Sequence, residues 1–544
     1  MTETIDTLLF LLAVLVIVAV LARRLSVAPS ILLVIAGFAL ALAPRLPRLV
    51  LAPELVLLGI LPPLIYSAGV AMSWREFRFN LRPIALLAFG YVLFTAAAVA
   101  AAAHWLLGMP LAVGFVLGAI VAPTDVVAPL AIVRSLGIPR RLVVVLEGEG
   151  LANDATALIL YRFAVVAVGS GAFSFWPAAG TFALIVVGEI VYGVAVGWAS
   201  LQLRRWVRDP RVEITLSLLT PYAAFLVPQH LGGSGVLATV AAGLFVSWNG
   251  PLLIPAATRL QGIFFWDLLV YLLEGLLFLV TGMQVRTLLD RMNPDELQHV
   301  AAAVALSVVA LIVTRFIWVY PSVYLPRWLN PALARRDPLP PPQWTFFLAF
   351  VGIRGVVSLA AALAIPLTTA VGVPFPDRDL ILFVAFGVIV ITLVGQGLLI
   401  PAVVRRLGLA QHAADERTRE REAEFAARSG ALALGRSRLD RYAAEGRISE
   451  AALAILRARH DDRAGRLPLA AGNAGDGGNG GDTDAALAAA KLRIELIAAE
   501  REYIHQLLRE GRISDEARRR IERELDLEEA SIACKTEGGE EPPL

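Results

Sequence analysis

The feature that most constrains this chain is a repeat of apolar runs, each of about twenty residues and separated by short polar connections. A helix rises 1.5 Å per residue, so ~20 residues cross a ~30 Å hydrocarbon core. About thirteen such runs are present, at roughly 5–22, 27–44, 50–70, 83–106, 111–134, 142–168, 177–203, 213–230, 233–250, 262–285, 298–325, 343–370 and 379–404. In lipid each segment must satisfy its own backbone polar groups, which leaves helices. With 57% apolar residues among 544, a soluble core does not account for the pattern. The expected fold class is an all-α polytopic membrane protein of about 13 transmembrane helices.

Charge placement tests this count. One set of loops holds Arg23, Arg24, Arg75, Arg78, Arg82, Arg140, Arg141, Arg204, Arg205, Arg335, Arg336, Arg405 and Arg406, among others. The alternate set holds only Arg45, Arg48, Arg286, Arg291 and Arg378. By the positive-inside rule the N-terminus is external and the C-terminal tail cytoplasmic. The first run has the acids Glu3 and Asp6 at its start and precedes Arg23 and Arg24, the reverse of a signal peptide, so it reads as a retained helix. The location expected is a bacterial cytoplasmic membrane. The single cysteine, Cys534, lies in the polar tail and allows neither an intrachain disulfide nor a cysteine metal site.

Two domains are expected: a transmembrane domain over 1–408 and a cytoplasmic helical tail over 409–544, with a Gly/Asn/Asp linker at 472–485. Two similar units flank the linker, LDRYAAEGRISEAALAILRAR (439–459) and YIHQLLREGRISDEARRRIERE (503–524). In each, a helix ends near Gly446 or Gly511 and a serine, Ser449 or Ser514, caps the next. Such a hairpin serves packing or dimer contact, or senses a regulatory signal.

Three polar stretches interrupt the apolar runs at mid-depth. EGEGLANDATALILYR (147–162) places Asp154 ~18 Å into its span, beside Asn153. Glu147 shares the Asp154 face, and Glu149 shares that of Asn153. A midplane carboxylate beside an amide marks an ion or proton path, whereas Glu149 reads equally as a buried pair holding helices together. VAPTDVVAP (121–129) brackets Thr124 and Asp125 with Pro123 and Pro129, so the helix breaks ~20 Å deep. The freed carbonyls and the Thr124 hydroxyl suit a small monovalent cation. Asp125 either coordinates it or compensates the half-helix dipoles. VGIRGVVSLAAALAIP (351–366) puts Arg354 ~16 Å deep between glycines, where it needs an anionic partner; Glu149 is the first candidate. Two interrupted spans running in opposite directions, seven spans apart, indicate inverted repeats with crossed discontinuous helices.

With LLEGLLFLVTGM (272–283), these motifs resemble, in order over roughly 5–408, the monovalent cation:proton antiporter-1 family, the sodium/proton exchanger type. The resemblance implies a six-helix core moving against a dimerisation domain in a homodimer. It implies that Asp154 carries the transported ion, with Asn153 and Thr124 beside it, Asp125 supporting the crossing and Glu149 paired to Arg354. The chain departs from the family pattern at Ser67, where some members carry a glutamate after LPP, at Gly150, where several place a serine, and at Gln229. Glu147, Gly150, Ser67 and Glu274 are additional site candidates, while Glu189 reads as a structural hydrogen-bond partner and Arg162 as a snorkelling side chain.

The function expected is exchange of a monovalent cation, Na⁺ foremost and K⁺ or Li⁺ as alternatives, for H⁺ by competition at Asp154, in the service of pH homeostasis. With Asn153 in place of a second acid, one carboxylate titrates per cycle, so exchange is electroneutral. No enzyme activity, cofactor or nucleic-acid partner is expected. A passive cation channel could use the same polar residues. An intramembrane hydrolase would have to use Ser234 in GGSG (232–235) with His230.

Overall fold

The computed structural model describes residues 2–465 except 26, 44–51, 172–173, 208, 291–295, 370–371 and 447–448, with scattered helical positions from Ile497 to Ile532. The linker at 472–485 and, apart from Ile521, the second tail unit at 503–524 lie outside the described residues. Two compact units divide between Ala410 and Gln411.

The first unit is built of helices. They are α1 (Thr2–Leu25), α2 (Pro29–Ala41), α3 (Leu61–Ala71), α4 (Trp74–Phe79), α5 (Leu81–Ala85), α6 (Val92–Leu107), α7 (Leu111–Val121), α8 (Val127–Leu136), α9 (Arg140–Ser170) and α10 (Phe175–Trp206). Next come α11 (Pro210–His230), α12 (Val236–Leu253), α13 (Ala256–Leu289), α14 (Leu297–Leu329), α15 (Pro331–Arg336), α16 (Pro342–Phe350), α17 (Val356–Leu363), α18 (Arg378–Val390) and α19 (Gly397–Arg406). Wider π-helical turns at Leu55–Ile60, Leu86–Tyr91 and Ile391–Gln396 continue into α3, α6 and α19. Prolines start several of these elements, where a missing amide costs nothing: Pro110, Pro139 and Pro255 sit at the N-caps of α7, α9 and α13. Gly108 and Gly171 end α6 and α9 in the left-handed region, at φ 71° and 67°.

Seven stretches among the described residues are long and apolar enough to cross a membrane: Asp6–Leu25, Leu81–Leu107, Arg140–Ser170, Phe175–Trp206, Thr258–Leu289, Leu297–Leu329 and Arg378–Arg406. Pro29–Ala41, Leu55–Ala71, Leu111–Val121 and Val236–Gly250 are apolar but shorter. The difference from the expected runs has local causes. The runs at 111–134 and 343–370 are each split by non-helical backbone. The run at 213–230 lies on α11, which carries Arg211, Glu213 and the internal prolines Pro221 and Pro228. On α10 the exposed row Trp176, Leu184, Val187, Val191 and Trp198 is the surface a lipid-facing helix presents. Inside, α2 meets α13 backbone to backbone: a Cβ on Gly37 would lie 2.1 Å from the Leu279 carbonyl oxygen.

In the second unit, α20 (Leu409–Ala444) ends ahead of Gly446, whose φ is 67°, and α21 (Glu450–Gly465) follows. The Ala452 amide donates to Ser449 Oγ at 3.3 Å, the cap that the sequence suggests. Arg457 pairs with Asp440 at 2.6 Å and Arg436 with Asp461, so the two helices fold back on each other.

Candidate cation and proton site

The site starts from two failures of helix. Between Val121 and Val127, Pro123 has no amide to donate; between Phe350 and Val356, Gly352 and Gly355 weaken the helix. The two interruptions cross in contact: the Asp125 amide donates to the Ile353 carbonyl at 2.8 Å. Gly355 allows this approach, since a Cβ there would lie 2.6 Å from the Asp125 Cβ. The charges carried by the two interruptions serve both helix ends of the first. Arg354 Nε donates at 3.0 Å to the carbonyl of Val121, the last residue of α7, and so sits at its negative C-terminal end. Asp125 Oδ1 accepts from the Val127 amide at 3.1 Å, at the positive start of α8. Asp125 Oδ2 is buried without a hydrogen-bond partner. Dipole compensation thus occupies one carboxylate oxygen and leaves the other open to a ligand.

α9 closes the crossing from the side. Asn153 Nδ2 donates to the Thr124 carbonyl at 2.8 Å and to its hydroxyl at 3.0 Å, and that hydroxyl donates to Glu149 Oε1 at 2.8 Å. Asn153 Oδ1 is a further buried acceptor without a partner. Glu149 is fully buried, and its partner is not Arg354. Arg315 of α14 holds it in a bidentate pair at 2.6 and 2.9 Å. The expected Glu149–Arg354 pair is therefore corrected. Arg354 needs no carboxylate because carbonyls freed by the breaks serve instead: it bonds Val121 and Gly352 oxygens and the Tyr91 hydroxyl, the last at 2.7 Å. Tyr91 joins the two arginines, its ring lying 5.0 Å from the Arg315 guanidinium carbon. The Arg354 amide donates to Thr392 Oγ1 at 3.1 Å. Sequence reasoning missed Arg315, Tyr91 and Thr392; a lone arginine within the apolar run 298–325 was the available signal.

Asp154 differs from all of these. It is half-buried on α9, and no hydrogen bond or ion pair engages it among the described residues. The carboxylate whose field it feels is that of Asp125. An accessible acid beside two orphaned buried oxygens, those of Asp125 and Asn153, offers hard oxygen ligands to a small cation.

Residues 10–406 match the family described as "Sodium/hydrogen exchanger, transmembrane". The chain belongs to this family. An uncharacterized Na(+)/H(+) exchanger of Mycobacterium tuberculosis is 36% identical over 96% of this chain and 95% of its own. The Na(+)/H(+) antiporter ApNhaP of Aphanothece halophytica is 32% identical over 74% of this chain and 73% of its own. The sodium proton antiporter MjNhaP1 of Methanocaldococcus jannaschii shares the fold, with a TM-score of 0.55 at 18% identity over 74% of this chain and 99% of that one.

In this exchanger the remaining candidates differ in how they relate to the crossing. Glu147 is half-buried on α9 and Glu274 half-buried on α13. Ser67 lies half-buried on α3. Gly150 faces Val126 of the first interruption, whose side chain a Cβ would approach to 2.5 Å, so a serine there would press on the crossing itself. Glu189 of α10 accepts from the amides of Ser234, Gly235 and Leu237 and from the Ser234 hydroxyl. GGSG is thus the N-terminal turn of α12 wrapped around a carboxylate, and Ser234 is committed to it. The exchanger is a multi-pass membrane protein of a transporter family.

Proposed function

We propose that this exchanger moves Na⁺ against H⁺ one for one, by competition at Asp154. The observation that carries this reading is the difference in engagement around the crossing. Glu149 is neutralised by Arg315, Arg354 is held by carbonyls and Tyr91, and Asp125 caps α8, while Asp154 has no protein partner among the described residues. Asp154 binds the cation, with Asp125 Oδ2, Asn153 Oδ1 and the remaining lone pair of Thr124 as its neighbours. A bound cation favours the ionised carboxylate and a proton excludes the cation, so either ligand lets the carrier switch sides. The empty charged state does not cross. Because Asn153 carries no proton to exchange, one charge moves each way. Relatives in Bacillus pumilus and Bacillus subtilis are named sodium, potassium, lithium and rubidium/H(+) antiporters, which supports K⁺ and Li⁺ as alternative cargo. We propose also that the protein is a homodimer in a bacterial cytoplasmic membrane, N-terminus external, with a cytoplasmic tail from 409 onward.

Proteoliposomes containing a pH dye test this directly. Cation pulses of Na⁺, Li⁺ or K⁺ produce proton movement in the wild type and none in Asp154→Asn. An imposed membrane potential leaves the rate unchanged. Retained exchange in folded Asp154→Asn removes the site assignment, and acceleration by the potential removes the one-for-one stoichiometry.

A further inference from the structure

Away from the crossing, at the ends of three helices, three arginines converge on one carboxylate. Arg82, at the start of the Leu81–Leu107 stretch, and Arg327, in the last turn of α14, reach Asp337 Oδ2 at 2.9 and 2.7 Å. Arg141, in the first turn of α9, reaches Oδ1 at 2.7 Å. Neighbouring Arg140 has its own acid, Glu76, at 2.9 Å. The cluster therefore carries about two uncompensated positive charges, an arrangement that opposes itself electrostatically unless an anion completes it.

A small cleft of about 50 Å³ opens on these side chains, lined by Arg82, Arg141, Arg327, Trp344, Thr345 and Leu348 among others. Three buried donor groups on this lining have no hydrogen-bond partner: Arg82 Nη1, Trp344 Nε1 and Thr345 Oγ1. Thr345 is 1% exposed. Buried donors without acceptors cost stability and are rare in native folds. Here they come from two separate elements and border the same cavity, beside a surplus of guanidinium charge. A planar carboxylate offers two acceptor oxygens in one plane. A phosphate group offers several oxygens in tetrahedral directions, carries the charge the cluster lacks, and is an anion that guanidinium groups bind bidentately.

We propose that this cleft is a binding site for a phosphate group, separate from the cation path, with Arg82, Arg141 and Arg327 neutralising it and Trp344 and Thr345 donating to its oxygens. The apolar wall that includes Leu142 and Leu348 suits the glycerol and first methylenes of an anionic phospholipid; free phosphate shares the headgroup chemistry. Occupancy ties the starts of α5 and α9 to the end of α14, all of which flank the crossing.

Thermal unfolding of the delipidated full-length protein in detergent tests the site. Phosphatidylglycerol, phosphatidylcholine and inorganic phosphate are each titrated against a chloride control of equal ionic strength. A ligand that binds only the folded state raises the midpoint saturably. A rise with phosphatidylglycerol and none with inorganic phosphate identifies a lipid headgroup; a rise with inorganic phosphate itself identifies a free anion. Either supports the site. The double variant Trp344→Phe/Thr345→Val leaves every ion pair intact and should raise the half-saturating concentration by about tenfold, the loss of two modest hydrogen bonds. Arg82→Gln should weaken it further. No rise with either phosphate source, or an unchanged half-saturating concentration in the double variant, overturns the proposal.

Discussion

Two regions of this exchanger bring arginines and carboxylates together, and they are unbalanced in opposite directions. Around the crossing, Glu149, Asp125 and Asp154 face Arg315 and Arg354. At the helix ends, Arg82, Arg141 and Arg327 face Asp337. A surplus acid in the first region calls for a cation, and a surplus base in the second calls for an anion. The difference teaches that pairing identifies scaffold and that the charge left over identifies cargo or ligand. Asp154→Asn breaks the comparison most severely: transport falls to background in proteoliposomes, while the unfolding midpoint stays within a degree or two of wild type. A variant that loses both would show that Asp154 is scaffold after all.

The converse holds for Arg315. Arg315→Leu leaves Glu149 buried and unpaired, which costs about 3–5 kcal/mol, whereas Glu149→Leu/Arg315→Leu removes both charges and recovers most of that loss. A double-mutant cycle on the unfolding free energy reads the coupling. Additive effects would mean the 2.6 Å pair contributes nothing specific.

Gly355→Ala sharpens the same point through sterics. Its Cβ would meet Asp125 Cβ at 2.6 Å, so the two interruptions move apart at a cost of about 1–3 kcal/mol. The expected sign is a lower midpoint together with a raised half-saturating Na⁺ concentration, since Asp125 moves with the crossing. Thr124→Val is milder. It deletes the hydroxyl that links Asn153 to Glu149, for about 1 kcal/mol, and weakens Na⁺ more than it destabilises the fold. Equal Na⁺ dependence in Thr124→Val and wild type would exclude the hydroxyl from the cation's neighbourhood.

The breaks in the helices were legible because their causes are local. Pro123 and Pro129 around Thr124-Asp125, and Gly352 and Gly355 around Arg354, act on their own backbone, and the structure interrupts helix at both places. The partner of Glu149 was not legible, because pairing is decided by which helices pack, and Arg315 and Arg354 were equal candidates by charge. Arg354 illustrates the physical reason: a broken helix supplies carbonyl acceptors, so a buried guanidinium can be satisfied without an acid. Tyr91 and Thr392 carry no charge in their apolar runs and gave no signal. The Asp337 cluster draws on three regions far apart in sequence, at Arg82, at Arg141 and from Arg327 to Asp337, and each of its arginines by itself reads as an ordinary positive-inside residue.

The smallest effect expected belongs to that cluster and is read by pH. Burial alone would raise the Asp337 carboxyl, but Arg141 and Arg327 outweigh it and hold it below its ordinary 3.8. A depressed carboxylate contributes stability that is fully present above the unfolded value and lost as pH falls through the folded one. Asp337→Asn should therefore unfold a few degrees below wild type at pH 7, and the gap should hold down to about pH 5 and shrink as pH falls below the ordinary carboxylate range towards the lower folded value. Unfolding midpoints of the two proteins from pH 7 to 3 measure it. A gap that stays constant to pH 3 would mean that the carboxylate's charge is not what binds the three arginines. A phosphate group bound in the cleft sharpens the test, because it competes with Asp337 for the same guanidiniums. Added phosphatidylglycerol should then narrow the wild-type-to-variant gap at pH 7, and should leave the Arg315→Leu deficit, deep in the crossing, unchanged.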